Sequence, residues 1–373
     1  MRHRSSRFRV CALLLLFFAA AFLLPASRNG DIRLYVLAAA VPGVTLLLLL
    51  MPAGLAAPDR ASIAAAMSLC GLGIMAPAFL LPDEAVAQAM RAAPCLVLMF
   101  VGAVLSRSFR PNGIAAVIPA FLALMMLSLP LMSSPFSFSL THGGIAMLML
   151  ALAAFLSARL RLPALVVSLG GLALLLLQHE TGAAAIWAVT LVLIFWAVSD
   201  SALWSGFALL LSAGLFVGFL SFLPAPETVR EPLLQRFISM PFILPELSES
   251  PAVSDTGSLF FLLGDQYGLA LILCALLMLC LLLIRAASVA LHTRKAFHAS
   301  LVLGCLLFFG LKALWFLLCV TDIVSLSPGS FPLLSSSLPE LAAEFFLIGI
   351  LSGVSARNDA DLTEDARLAM LAR

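Results

Sequence analysis

Apolar residues in this chain come in long runs and do not alternate with polar ones. Twelve segments are almost continuously apolar, over about 9–27, 33–53, 61–82, 91–107, 113–132, 143–158, 163–178, 182–199, 203–222, 259–284, 297–320 and 341–356. A bilayer helix needs about 20 mostly apolar residues, and most runs approach or reach that length. Helices satisfy their backbone polar groups within the segment, whereas barrel strands would alternate apolar and polar positions. The pattern therefore predicts an all-α polytopic membrane protein with about twelve transmembrane helices. The first run, Val10 to Pro25, follows a basic N-terminus. It is long for a signal-peptide core and more spans follow it, so it is read as an uncleaved span.

Composition narrows the class. Of 373 residues, 63% are hydrophobic and 11% charged, against about 45–50% and about 25% in soluble domains. A water-soluble fold is excluded, and so is disorder, which needs low hydrophobicity and high net charge. The net charge of +2 gives no reason to expect a nucleic-acid partner. Of the 21 Lys and Arg, fifteen fall on inner segments and five on outer ones if the N-terminus is cytoplasmic, with Lys312 inside a span. That bias predicts cytoplasmic N- and C-termini. The longest loop, 223–258, then faces outward and is rich in Pro, Ser and acids. A second outer loop, 321–340, has no basic residue. Loops on a rigid scaffold are where binding and catalysis concentrate.

The few polar groups in apolar surroundings are the candidates for chemistry. Lys312 has apolar neighbours for a full turn on both sides, and a charge at bilayer depth marks a functional site by default. A structural ion pair explains it equally well, with Asp265, Glu180, Asp322 and Glu344 as candidate partners. Gln178-His179-Glu180-Thr181-Gly182 breaks two apolar runs, and Glu180 there suits a helix N-terminus. Gly264-Asp265-Gln266-Tyr267-Gly268 interrupts another run near its outer end. Asp255 closes the long outer loop, placed to cap the next helix or to act as a general base at the membrane surface. The seven cysteines show no metal-ligand or CxxC spacing. Nucleotide-binding, serine-hydrolase and zinc-protease motifs are absent, and the five His are scattered. No cofactor is evident; a divalent cation is compatible with the chemistry below, but the sequence shows no site for one.

The order of motifs resembles the SEDS family, the FtsW/RodA/SpoVE membrane proteins of the bacterial cell wall, over about 60–356. Pro135-Phe136-Ser137-Phe138-Ser139 is similar to the segment before that family's fourth span. Gln178 to Gly182 is similar to its Q-P-D-L-G, with Glu180 at the acidic position. Gly264 to Gly268 is similar to the motif opening its eighth span, and the run after it ends in Ile284-Arg285-Ala286-Ala287. Lys312-Ala313-Leu314 falls on Q-A-L, Val320-Thr321-Asp322 on V-T-G, and Pro332 to Ser335 on P-F-I-S. The chain departs from the family at Leu140-Thr141-His142-Gly143-Gly144, where S-E-L-A-K is usual, and at Ser335 to Glu340. The family's catalytic Asp aligns without gaps to Gly257, so Asp255 fills that role only with two residues inserted after it.

The resemblance implies a two-span extension over 1–58, a ten-span core over 59–357 containing the outer loop 223–258, and a cytoplasmic tail over 358–373. It implies polymerisation of lipid II at the outer leaflet of the bacterial inner membrane, in cell division or cell-shape control. A class B penicillin-binding transpeptidase is the implied partner. Asp255 is the expected base, Arg230 and Arg236 the expected phosphate contacts, and Lys312, Glu180 and Asp265 further substrate-site residues. Two alternatives remain open. One is a catalytically degenerate scaffold that binds the transpeptidase or lipid II; the other is a different lipid-linked-sugar ligase or polymerase.

Overall fold

The structure is a computed structural model that describes residues 16–28, 30–50, 59–109, 111–132, 140–198, 202–220, 233–238, 240–242, 258–324 and 326–371. At 132, 220, 236, 258 and 359–371 the description is of backbone alone. The described residues form helices joined by turns and loops, with no strand. In chain order these are α1 (Leu16–Arg28), α2 (Ile32–Leu50), α3 (Arg60–Met75), α4 (Pro82–Ser108), α5 (Gly113–Met132), α6 (Thr141–Ser157) and α7 (Arg161–Leu177). Then follow α8 (Thr181–Val198), α9 (Ala202–Leu220), α10 (Leu233–Ile238), α11 (Ser258–Tyr267), α12 (Leu269–His292), α13 (Ala296–Val320) and α14 (Leu338–Leu371). Among them, eight helices are long and apolar enough to cross a membrane, and four shorter ones are apolar too. These twelve coincide in order with the twelve runs predicted from sequence.

Exposure sorts the helices. Every residue of α6 from Gly144 to Phe155 except Met147 is buried, as expected of a helix apolar all round. It stands at the centre, touching α5, α7, α8, α13 and α14. At the periphery, α9 turns Leu203, Phe207, Leu209 and Leu210 outward. In water such a band would be a liability; against lipid it is the required surface. The N-terminal pair docks on α3 and α4. Phe18 and Phe22 of α1 are fully buried, and Gly71 of α3 lies so close to the Phe18 ring that a Cβ would overlap it.

Several boundaries differ from expectation: α4 begins at Pro82, before the expected 91, and α14 runs on to Leu371, past the expected 356. The run 259–284 is not one helix: it divides at Gly268, whose φ of +89° is left-handed territory open mainly to glycine. Carbonyls of the 240–242 segment cause the break. Pro241 accepts from the Leu269 amide at 2.9 Å and Phe242 from that of Ala270 at 3.2 Å, capping the start of α12. Helix α12 then continues to His292, eight residues past the expected end, which places Arg285 inside it.

There Arg285 Nε donates to Asp59 at 2.8 Å; Ser62 also donates to Asp59 at 2.8 Å, and the Asp59 amide donates to Ser352 at 2.9 Å. This cluster ties α3, α12 and α14 at the end of the bundle that carries the basic 293–295 turn. The opposite end carries loop 321–337. Replacing Asp59 by Asn keeps the shape and removes the charge; the expected cost is about 1.5–3 kcal/mol, the range for hydrogen bonds to a charged group. Denaturant unfolding of the detergent-solubilised protein measures it.

Candidate functional site

The loop end is where the polar residues gather. Lys312 sits eight residues before the last residue of α13, about 12 Å below that helix end. It is 4% exposed. Its ammonium donates to Glu340 at 2.6 Å and to Glu344, two residues spaced i, i+4 on one face of α14. Glu344 is fully buried and Glu340 nearly so.

Loop 321–337 turns back into the bundle to complete the cluster. Ser330 and Ser335 donate their hydroxyls to Glu340, and the Leu333 amide donates to Glu344 at 2.8 Å. Leu333 adopts a left-handed φ of +62°. A branched apolar residue holds that conformation only when its surroundings over-determine it; here its amide is tied to Glu344 and its side chain is buried. Phe331 anchors the loop against Phe260 of α11 and Phe316 of α13, with ring centroids 4.9 and 5.6 Å away.

Two more helices reach the same point. From α6, His142 Nε2 lies 3.4 Å from Glu340. From α4, the buried Gln88 amide donates to the Ser335 carbonyl at 2.6 Å. Arg91, one turn further on, donates to Gln88 at 3.3 Å and pairs with Glu84 at 2.6 Å. A continuous hydrogen-bonded path thus runs from the half-exposed Arg91 through Gln88, Ser335 and Glu340 to Lys312. With both carboxylates ionised and His142 neutral, the ionisable core carries a formal charge of −1; one more proton makes it neutral.

The sequence-predicted residues fall as follows. Lys312 is held by Glu344, one of its four candidate partners, and by Glu340, which was not one; Glu180, Asp265 and Asp322 do not hold it. Glu180 lies in the turn between α7 and α8, where its carbonyl accepts the Ala184 amide at 2.9 Å to open α8. Its side chain is exposed at the protein surface, yet desolvation by surrounding protein, and then the Glu340 charge, raise its carboxyl above the usual carboxylate range. Neighbouring Gln178 fastens this turn, donating to the Leu127 carbonyl and accepting from Thr141 at 3.1 Å. Asp265 lies half-buried on α11, one turn before the Gly268 break. Arg236 belongs to the short α10, described by its backbone alone. Asp255, Arg230 and the segment Pro135 to Ser139 lie outside the described residues.

Sequence reasoning missed His142, Gln88 and the two serines as neighbours of Lys312. His142 drew notice only as a departure from the S-E-L-A-K motif, yet it occupies the start of α6 facing Glu340. The i, i+4 spacing of Glu340 and Glu344 at the head of an apolar run was the available signal. Among the described residues, no group of three or more His, Cys, Asp or Glu is arranged to hold a metal ion.

No family model and no curated protein matches the chain by sequence. The fold does have solved counterparts. The crystal structure of the rod shape-determining protein RodA of Thermus thermophilus aligns at 19% identity with a TM-score of 0.61, covering 80% of this chain and 97% of RodA. The chain has the fold of RodA. A structure described as showing the structural coordination of polymerization and crosslinking by a peptidoglycan synthase complex matches equally well. It aligns at 19% identity and a TM-score of 0.61, covering 81% of this chain and 98% of that one. Nearly the whole of each of these two chains is therefore matched.

Proposed function

We propose that this protein is a SEDS-type peptidoglycan glycosyltransferase that polymerises lipid II at the outer leaflet of the bacterial inner membrane, in division or cell-shape control. The observation that carries the reading is the RodA fold, matched over 97% of the RodA chain. The ordered motifs in the sequence support it independently. In this reading the loop end faces outward, the basic end and both termini are cytoplasmic, and α1 and α2 are an extension on a ten-span core.

The reaction joins two lipid II molecules. The 4-hydroxyl of the acceptor attacks the anomeric carbon of the donor sugar, the bond to pyrophosphate breaks, and undecaprenyl pyrophosphate departs. Asp255 takes the hydroxyl proton as general base. Arg230 and Arg236 meet the charge that develops on the pyrophosphate. Glu180 and Asp265 border the same end of the bundle. Lys312 holds loop 321–337 in place through Glu340 and Glu344 rather than meeting the phosphates itself. A class B penicillin-binding transpeptidase is the proposed partner, in keeping with the coupled polymerization and crosslinking described for the matched synthase complex.

One observation favours a second reading. The buried cation of the site is fully engaged by its own carboxylates, as in a structural core, which suits a scaffold that binds the transpeptidase or lipid II without polymerising. Purified protein given labelled lipid II separates the readings. The enzyme reading expects glycan polymer from wild type and at least a hundredfold less, on the order of the 10²–10⁴ contributed by a general base, from Asp255→Ala. Equal product from both proteins removes Asp255 from the mechanism. No product from either, with the transpeptidase present, leaves the scaffold.

A further inference from the structure

We propose that the basic end of the bundle carries an anion site for a phosphate ester, separate from the glycan chemistry at the other end. A small cleft of about 20 Å³, open on one side, lies between the end of α12, the start of α13 and the Arg357–Asn358 stretch of α14. Arg294, Lys295 and Arg357 line it together with His292, His298, Thr293 and Asn358, and among the residues whose side chains are described no carboxylate does.

Three features mark it as more than a set of topology-setting cations. First, its central cation is built in. Arg357 Nη1 donates to the Arg107 carbonyl at 3.2 Å and lies 3.4 Å from His298 Nε2. His298 is itself buried, with its Nε2 3.0 Å from the Ser106 carbonyl oxygen. The Asn358 amide beside Arg357 is oriented by Thr293 at 2.9 Å. Second, among the described side chains donors outnumber acceptors here. Behind Arg357, the Nε and Nη2 groups of Arg107 are buried with no hydrogen-bond partner, an expensive state for a guanidinium. The positive potential of that unsatisfied group adds to that of the cleft. Third, the place suits the ligand. The cleft lies where helices leave the apolar layer, and basic pockets between helix ends on the cytoplasmic side are suited to anionic headgroups. Arg294 already has an interaction of its own, so Lys295 and Arg357 are the residues that carry the proposal.

Phosphate chemistry is shared by anionic phospholipid headgroups and by soluble phosphates, and the test distinguishes the two. Thermal unfolding of the delipidated, detergent-solubilised full chain is followed during titration with phosphatidylglycerol, phosphatidylcholine or inorganic phosphate. Stabilisation by phosphatidylglycerol but not by phosphatidylcholine or inorganic phosphate identifies a lipid site. Stabilisation by inorganic phosphate identifies a soluble-anion site. Apparent affinity should fall about fivefold for each charge removed in Arg357→Gln and Lys295→Gln. Lys295 is exposed, so its variant folds even if the Arg357 variant does not. No stabilisation by any of the three probes, or a Lys295→Gln response equal to wild type, overturns the proposal.

Discussion

Replacing Lys312 by methionine will destabilise the protein by about 3–5 kcal/mol, the usual consequence of removing one partner from a buried ion pair. Methionine matches the length of the stem but leaves Glu340 and Glu344 facing each other one turn apart with no cation between them. Ser330, Ser335 and the Leu333 amide would still donate to them. Hydrogen bonds alone do not offset two carboxylate charges in a site of low polarity. The triple variant Lys312→Met, Glu340→Gln, Glu344→Gln should recover most of the loss, because replacing a whole buried ionic set by neutral groups is often close to neutral. Denaturant unfolding in detergent measures both. Wild-type stability in the single variant would mean that water or ions reach the carboxylates and that the cluster is not the sealed core described above. Recovery in the triple variant without recovery of lipid II polymerisation would assign the charges to function rather than to folding.

What the sequence made legible follows from which interactions are local. Twelve continuous apolar runs translate into twelve apolar helices because span length and lack of alternation are properties of each segment alone. The break at Gly268 was visible only as a polar interruption, since its cause, the carbonyls of Pro241 and Phe242, comes from another part of the chain. Lys312 stood out because a cation in a span is costly wherever it packs. Its partners were harder to assign. Glu344 lay on an adjacent apolar run and was among the candidates, but Glu340 follows a run of serines and a proline that read as an outer loop. Nothing in that stretch announces that 330–335 turns inward. The fold joins it to α4 through Gln88 and to α6 through His142, and both contacts span more than 190 residues of sequence. Asp255 and Arg230, the residues on which the catalytic reading depends, were chosen by motif order and loop position, and mutagenesis is their test.

Gly349→Leu will be the more severe of the two large effects and should prevent a stable bundle from forming. Helices α4 and α14 meet along small residues. A Cβ at Gly349 would overlap the Met99 carbonyl oxygen, one at Gly102 the Phe346 carbonyl oxygen, and one at Gly353 the Ala103 carbonyl and the Ser106 hydroxyl. In lipid there is no hydrophobic drive between helices, so close backbone packing of this kind supplies much of the association. Overpacking ordinarily costs about 1–3 kcal/mol because side chains shift to make room. At Gly349 the obstacle is main chain, and α4 cannot retreat without pulling Gln88 off Ser335 and Arg107 off Arg357. Even Gly349→Ala should therefore reach about 3 kcal/mol, the upper end of that range, while Gly349→Leu should yield little monodisperse protein. Gly43 and Gly214, which have open space where a Cβ would go, are the controls: alanine at either should leave purification yield unchanged. A Gly349→Leu protein that purifies and melts like wild type would show that α4 and α14 do not pack at the separation described, and the path from Arg91 to Lys312 would need to be redrawn with it.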